Sequence, residues 1–141
     1  MRLLHNVLPA IAIVFAGVSV SQAADFKVIV NPAVKVDSIT VDDLRSIFLA
    51  TKTSFTDGTH AEPVWEKSGA THEAFLKDYV GKTDAAVGTY YRSLVFTGKA
   101  SMPKSFATDA EVVAYVAKTK GAIGYVSSDA GEDGVKVVAV K

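Results

Sequence analysis

The chain has 141 residues, 49% of them apolar and 21% charged, with 15 basic groups against 15 acidic ones. That length holds one ordinary domain, and an even charge with no Lys/Arg-rich stretch lacks the footprint of a nucleic-acid binder. The lack of cysteine excludes a disulfide framework, a thiol nucleophile and a lipid-modified N-terminal Cys.

Residues 1–23 read as a secretory signal peptide. Arg2 supplies the positive start, Val7 to Val20 is uncharged and almost wholly apolar, and Ser21-Gln22-Ala23 places small residues at the cleavage site. The apolar run is too short for a membrane span and carries Pro9. The expected mature chain is therefore residues 24–141, a soluble domain in the periplasm or outside the cell.

Phe26 to Val30 is a β-branched run stopped by Asn31-Pro32, a strand followed by a loop. Thr40 is an N-cap: beyond it Val41, Leu44, Ile47 and Phe48 share one helical face, with Asp42 and Asp43 in the first turn. Asp57-Gly58 marks a turn, so Ser54–Thr56 and Thr59–Trp65 read as a hairpin or as a turn feeding a strand. A second helix opens at Ser68-Gly69-Ala70-Thr71, carries Phe75, Leu76, Tyr79 and Val80 as its apolar stripe, and ends at Gly81. A third starts near Asp84, with Val87, Tyr90, Tyr91 and Leu94 at helical spacing, until Thr97-Gly98-Lys99 breaks it. A fourth follows Thr108, where Glu111 completes a capping box. Gly121 to Val126 reads as a turn and a buried strand, and Val135 to Val140 as the last strand. Alternating strands and helices give an α/β class with one mixed sheet.

Little in the chain suits catalysis. His60, Glu62, His72 and Glu73 are the available metal ligands, but their spacing matches no ligand motif. Ser68 and His72, four apart, invite a nucleophile–base reading, yet the base has no evident orienting partner and capping accounts for Ser68. No enzyme activity, metal or cofactor is expected. Gly121-Ala122-Ile123-Gly124 lacks the Lys-Ser/Thr of a phosphate loop and leads into a strand, so its glycines serve a tight turn and a close backbone approach. Tyr90, Tyr91 and Phe96 read as core. The segment with a specific physical use is Lys67-Ser68-Gly69-Ala70-Thr71. A helix start exposes unpaired N–H groups and carries partial positive charge. Two hydroxyls and a glycine there would let an oxyanion approach the backbone, and Lys67 would add charge.

These residues also bring a family into view. Ser38–Leu49 followed by Thr51-Lys52-Thr53-Ser54-Phe55-Thr56-Asp57 resembles a landmark of the periplasmic phosphate-binding proteins of ABC transporters. Val64–Phe75 is similar to their strand-to-helix passage through a Ser-Gly-Thr anion loop, and Tyr91–Lys99 and Gly121–Val126 resemble later landmarks, in order. The resemblance implies a single type II periplasmic-binding-protein-like lobe, a mixed sheet flanked by helices, of the small one-lobe subgroup. It places the ligand site at Lys67, Ser68, Gly69, Ala70 and Thr71. Phosphate or a similar oxyanion is the implied ligand, and an ABC transporter permease or another periplasmic protein the implied partner. Where the family carries an Arg before the loop, this chain has Trp65-Glu66-Lys67, and Ala50 and Phe55 replace the usual Gly and Trp. The alternative is a one-lobe interaction or sensor module that has lost its ligand.

Overall fold

The computed structural model describes residues 25–141; the expected signal peptide lies outside them. Six strands form one mixed sheet: β1 (Phe26–Val30), β2 (Ser38–Ile39), β3 (Glu62–Glu66), β4 (Lys104–Phe106), β5 (Ala122–Ser127) and β6 (Lys136–Val140). Their order is β2-β6-β1-β5-β3-β4. Central β1 runs antiparallel to both neighbours, with Val28 opposite Tyr125 on one side and Val138 on the other. β3 runs parallel to β5 and to β4, so the ends of β3 and β4 emerge together. Among the described residues no helix is long and apolar enough to cross a membrane.

The pleat of the strands sorts their side chains into two cores. Val28, Val30, Trp65, Ile123 and Tyr125 face one way, onto α1 (Val41–Phe48), α2 (Ala70–Phe75) and α3 (Asp84–Phe96). Ile29, Val64, Ala122 and Val126 face the other way, onto α4 (Asp109–Lys118) through Val112, Val113 and Val116. Gly124 lies on the α4 side, where a Cβ would come within 2.9 Å of both Val112 and Val64. Gly121 has φ +83°, and a Cβ there would meet the His60 carbonyl oxygen at 2.0 Å. The close approach and the tight turn expected of these glycines are both present.

The caps at Thr40 and Thr108 follow the sequence, and Thr83 adds one at the start of α3. Thr40 accepts from the Asp43 N–H, Thr83 from that of Ala86, and Thr108 from that of Glu111. Elsewhere the expectations need correcting. The second helix starts at Ala70 instead of Ser68, and from Leu76 to Val80 it continues with π-helical hydrogen bonds, closed by Gly81 at φ 73°. Widening the turn leaves carbonyls unmatched, and Arg45 of α1 donates to that of Tyr79 at 2.8 Å. Of the two readings of the 54–65 stretch, the turn feeding a strand holds: one bridge, Ser54 to His60, precedes β3 at Glu62. Phe96 is not core: it is 92% exposed. α3 attaches through Val87 and Tyr91, and five residues on, at 100° per residue, a side chain has turned about 140° away.

Candidate anion loop and the adjoining cleft

The loop Lys67–Gly69 lies where β3 ends and α2 begins, at the end of the sheet where β4 also terminates. Lys67, Ser68, Gly69 and Ala70 are exposed and Thr71 is half-buried. Gly69, at φ 106°, is the N-cap, and no side chain caps the helix. Ser68 thus does not act as the cap that its position suggests, and the first-turn amides of α2 keep no side-chain partner. Such amides, with the dipole of the turn behind them, are what an oxyanion requires.

A cleft of about 290 Å³ opens beside the loop. Of the five expected site residues, only Lys67 lines it; its other walls come from Trp65 and Glu66 of β3, His72 of α2, and Asp84 and Tyr91 of α3. The indole Nε1 of Trp65 is buried and has no partner with hydrogen-bond geometry.

The polar centre of this region is one that the sequence reading passed over. His72 is 3% exposed. Its Nδ1 is 2.5 Å from the Tyr125 hydroxyl, and its Nε2 is 2.7 Å from Asp84 Oδ1. The Tyr125 oxygen also accepts the backbone N–H of Glu66 at 3.0 Å. Burial holds the Tyr125 hydroxyl well above its ordinary pKa, so it keeps its proton. A neutral His72 that accepts at Nδ1 and donates from Nε2 to Asp84 satisfies every member. His72 therefore does have an orienting carboxylate, but its other nitrogen is occupied by a tyrosine rather than by Ser68. The signal for this cluster was a single tyrosine in an otherwise apolar strand, because a buried phenol needs a partner for its hydroxyl. His60 is exposed, and among the described residues no group of three or more His, Cys, Asp or Glu could hold a metal ion.

Glu66, at the place where a positive charge was expected, is 6% exposed. Burial, with the Asp109 carboxyl of α4 beside it, pushes its pKa up to about 8. At neutral pH Glu66 is mostly protonated and brings little negative charge of its own to the loop.

No family model matches the sequence, and no curated protein matches it either. Solved structures do match the fold. An ABC-type phosphate transport receptor from Vibrio cholerae superposes with a TM-score of 0.64 at 19% identity, over 82% of this chain and 45% of that one. A chain from Clostridium perfringens, assigned as a phosphate ABC transporter substrate-binding protein and solved with bound phosphate, gives 0.63 at 18% identity, over 82% and 44%. PstS from Borrelia burgdorferi gives 0.62 at 13% identity, over 82% and 47%. The chain thus has the fold of about half of a phosphate-transport binding protein, as the resemblance implied, and spans less than half the length of these neighbours.

Proposed function

We propose that this chain is an exported solute-binding protein of one lobe, whose ligand is an oxyanion, phosphate first. Its site is the amino end of α2: the Ser68 and Thr71 hydroxyls and the Gly69–Thr71 backbone donate hydrogen bonds, and Lys67 supplies the charge. The uncapped start of α2 next to Lys67 carries the reading. It agrees with the phosphate-transport neighbours of the fold and with a Glu66 that is protonated at neutral pH. An exposed, one-sided site binds weakly, because water competes for each donor and salt screens the charge. An ABC transporter permease is the partner that this role implies, and the periplasm the compartment.

Melting the protein with millimolar phosphate, against sulfate and chloride at matched ionic strength, tests the proposal. A ligand at 100 times its Kd adds about 2.7 kcal/mol, a rise of several degrees in Tm for a domain of this size. A phosphate-selective rise that Ser68→Ala/Thr71→Ala removes is the expected result. An equal rise from every anion favours the second reading, a lobe that keeps the fold without the ligand. That reading draws on Glu66 in place of the Arg before the loop and on Ala70, which interrupts Ser-Gly-Thr.

A further inference from the structure

The segment from Lys67 to Thr71 has few hydrogen bonds of its own. The Lys67 N–H donates to the Phe106 carbonyl of β4 at 2.9 Å, and the Glu73 N–H to that of Gly69 at 3.0 Å. The N–H groups of Ser68, Gly69, Ala70 and Thr71 find no backbone acceptor among the described residues. The shape of the loop is therefore set by what holds its ends, and both ends reach one atom. On the β3 side the Glu66 N–H donates to the Tyr125 hydroxyl at 3.0 Å, and on the α2 side His72 Nδ1 accepts from that hydroxyl at 2.5 Å. The hydroxyl is not free to follow either end, because Tyr125 is fully buried and its ring is stacked on Phe75 at 3.8 Å. His72 Nε2 donates in turn to Asp84, the first residue of α3, at 2.7 Å.

Only a neutral imidazole fits this arrangement. The Tyr125 oxygen already accepts from Glu66, and its one proton goes to Nδ1. A proton added at Nδ1 would set donor against donor, and the hydroxyl would lose its acceptor in a buried place where an unsatisfied donor is costly. The contact on the other side of the ring responds in the opposite sense, because a charged imidazole donates more strongly to the Asp84 carboxylate. A proton therefore moves the grip of His72 from β5 to α3. The groups that face it are Tyr125 from β5, Asp84 from α3 and Glu66 with Lys67 from the end of β3, while β1 presents Phe26 to α2 and Asp109 of α4 stands beside Glu66. On its own helix the neighbouring Glu73 is exposed. Tyr125 keeps its proton and Glu66 is mostly protonated at neutral pH, so Asp84 is the carboxylate that meets the ring.

We propose that Tyr125, His72 and Asp84 are positioning residues for the anion loop, and that a proton on His72 releases it. In the neutral state the two ends of Lys67–Thr71 are drawn to a fixed hydroxyl, so the unpaired amides between them are held in place before a ligand arrives. The consequence for affinity rests on the reading of this loop as an oxyanion site; the hold on the loop does not.

Amide relaxation in NMR reads the order of Ser68–Thr71 without any ligand, at about pH 7.5 and about pH 5, either side of the range in which imidazole changes charge. The wild-type loop should be ordered at the higher pH and mobile at the lower. Tyr125→Phe should be mobile at both. His72→Asn, whose amide oxygen takes the place of Nδ1 as acceptor and does not titrate, should be ordered at both. Inorganic phosphate, followed by the shifts of the same amides, gives the second readout. Tyr125→Phe should bind it about fivefold more weakly than wild type at the higher pH, and wild type should fall about fivefold below His72→Asn on acidification, the titration of phosphate itself being common to both. The proposal is overturned if loop order is the same in all three proteins at both pH values. It is equally overturned if wild type gains affinity over His72→Asn in acid, since the charge of His72 and not its hold would then be acting. A loop that loosens as expected in a protein that binds no phosphate at either pH would sink the oxyanion reading and leave the hold standing.

Discussion

The two faces of the sheet solve the packing problem in opposite ways. On the α4 face the contact is made by valines, isoleucine and alanine, and Gly124 lets the helix settle against the strand. Its polar groups among the described residues lie at the ends of α4 and β3, where Asn31 donates to the Val116 and Ala117 carbonyls and Tyr115 to Glu62. On the other face the contact is aromatic: Phe75 stacks on Tyr125 with ring centres 3.8 Å apart, and Phe48 and Trp65 meet edge to face at 5.0 Å. Rings of this kind bring hydroxyl, imidazole and indole groups into the interior, and each needs a partner. Tyr91 gives its hydroxyl to the Phe48 carbonyl, Tyr90 to that of Leu49, and Tyr125 joins His72 and Asp84. The aliphatic face can close completely; the aromatic face is where the cleft opens.

Filling the aliphatic face tests that contrast most severely. Gly124→Val would drive new methyls into Val112 and Val64 in a strand with no room to yield. A loss of about 3 kcal/mol in urea unfolding is expected; a loss below about 1 kcal/mol would mean that α4 can shift and the contact is loose. On the aromatic face Tyr125→Phe keeps the ring stack but strands His72 Nδ1 and the Glu66 N–H. A loss of about 2 kcal/mol is expected, together with displaced His72 ring resonances in NMR; unmoved resonances would show that the hydroxyl does not hold it.

At the rim where the faces meet, Glu66 gives a pH-dependent contrast. The folded chain holds its proton up to about pH 8, while the unfolded chain releases it near the ordinary value of 4.5. Its contribution to stability is therefore complete below pH 4.5 and is lost as pH rises to about 8. Glu66→Gln, which has no proton to lose, should gain in Tm over wild type steadily across that interval and level off above it. A constant difference would place the carboxyl in water. The smallest expected effect is at Ala50→Gly: removing the strain at φ 59° should stabilise the fold by about 1 kcal/mol, and a loss instead would mean that the methyl packs better than its exposure suggests.

Those four positions also divide what could be read in the sequence from what could not. The strand over Phe26–Val30, the Thr40 and Thr108 starts, and the glycines at 121 and 124 carry their structural reason in a few adjacent residues. β2 and β4 do not: they are edge strands of two and three residues, too short for any period to show. The π-helical turn depends on a bond from Gly81 N–H to the Leu76 carbonyl, which no composition announces. The loop at Lys67–Thr71 was placed by its residues, yet the absence of a cap there is a property of the folded backbone. His72, Asp84 and Tyr125 come from α2, α3 and β5, and only tertiary packing brings them together.

The place of β1 has a consequence for timing. The strand at Phe26–Val30 is hydrogen-bonded on one side to Ala122–Ser127 and on the other to Lys136–Val140. The middle of the sheet therefore cannot close until almost the whole chain has left the ribosome, and contacts so distant in sequence form slowly. The centre of such a sheet is among the last parts of the fold to form.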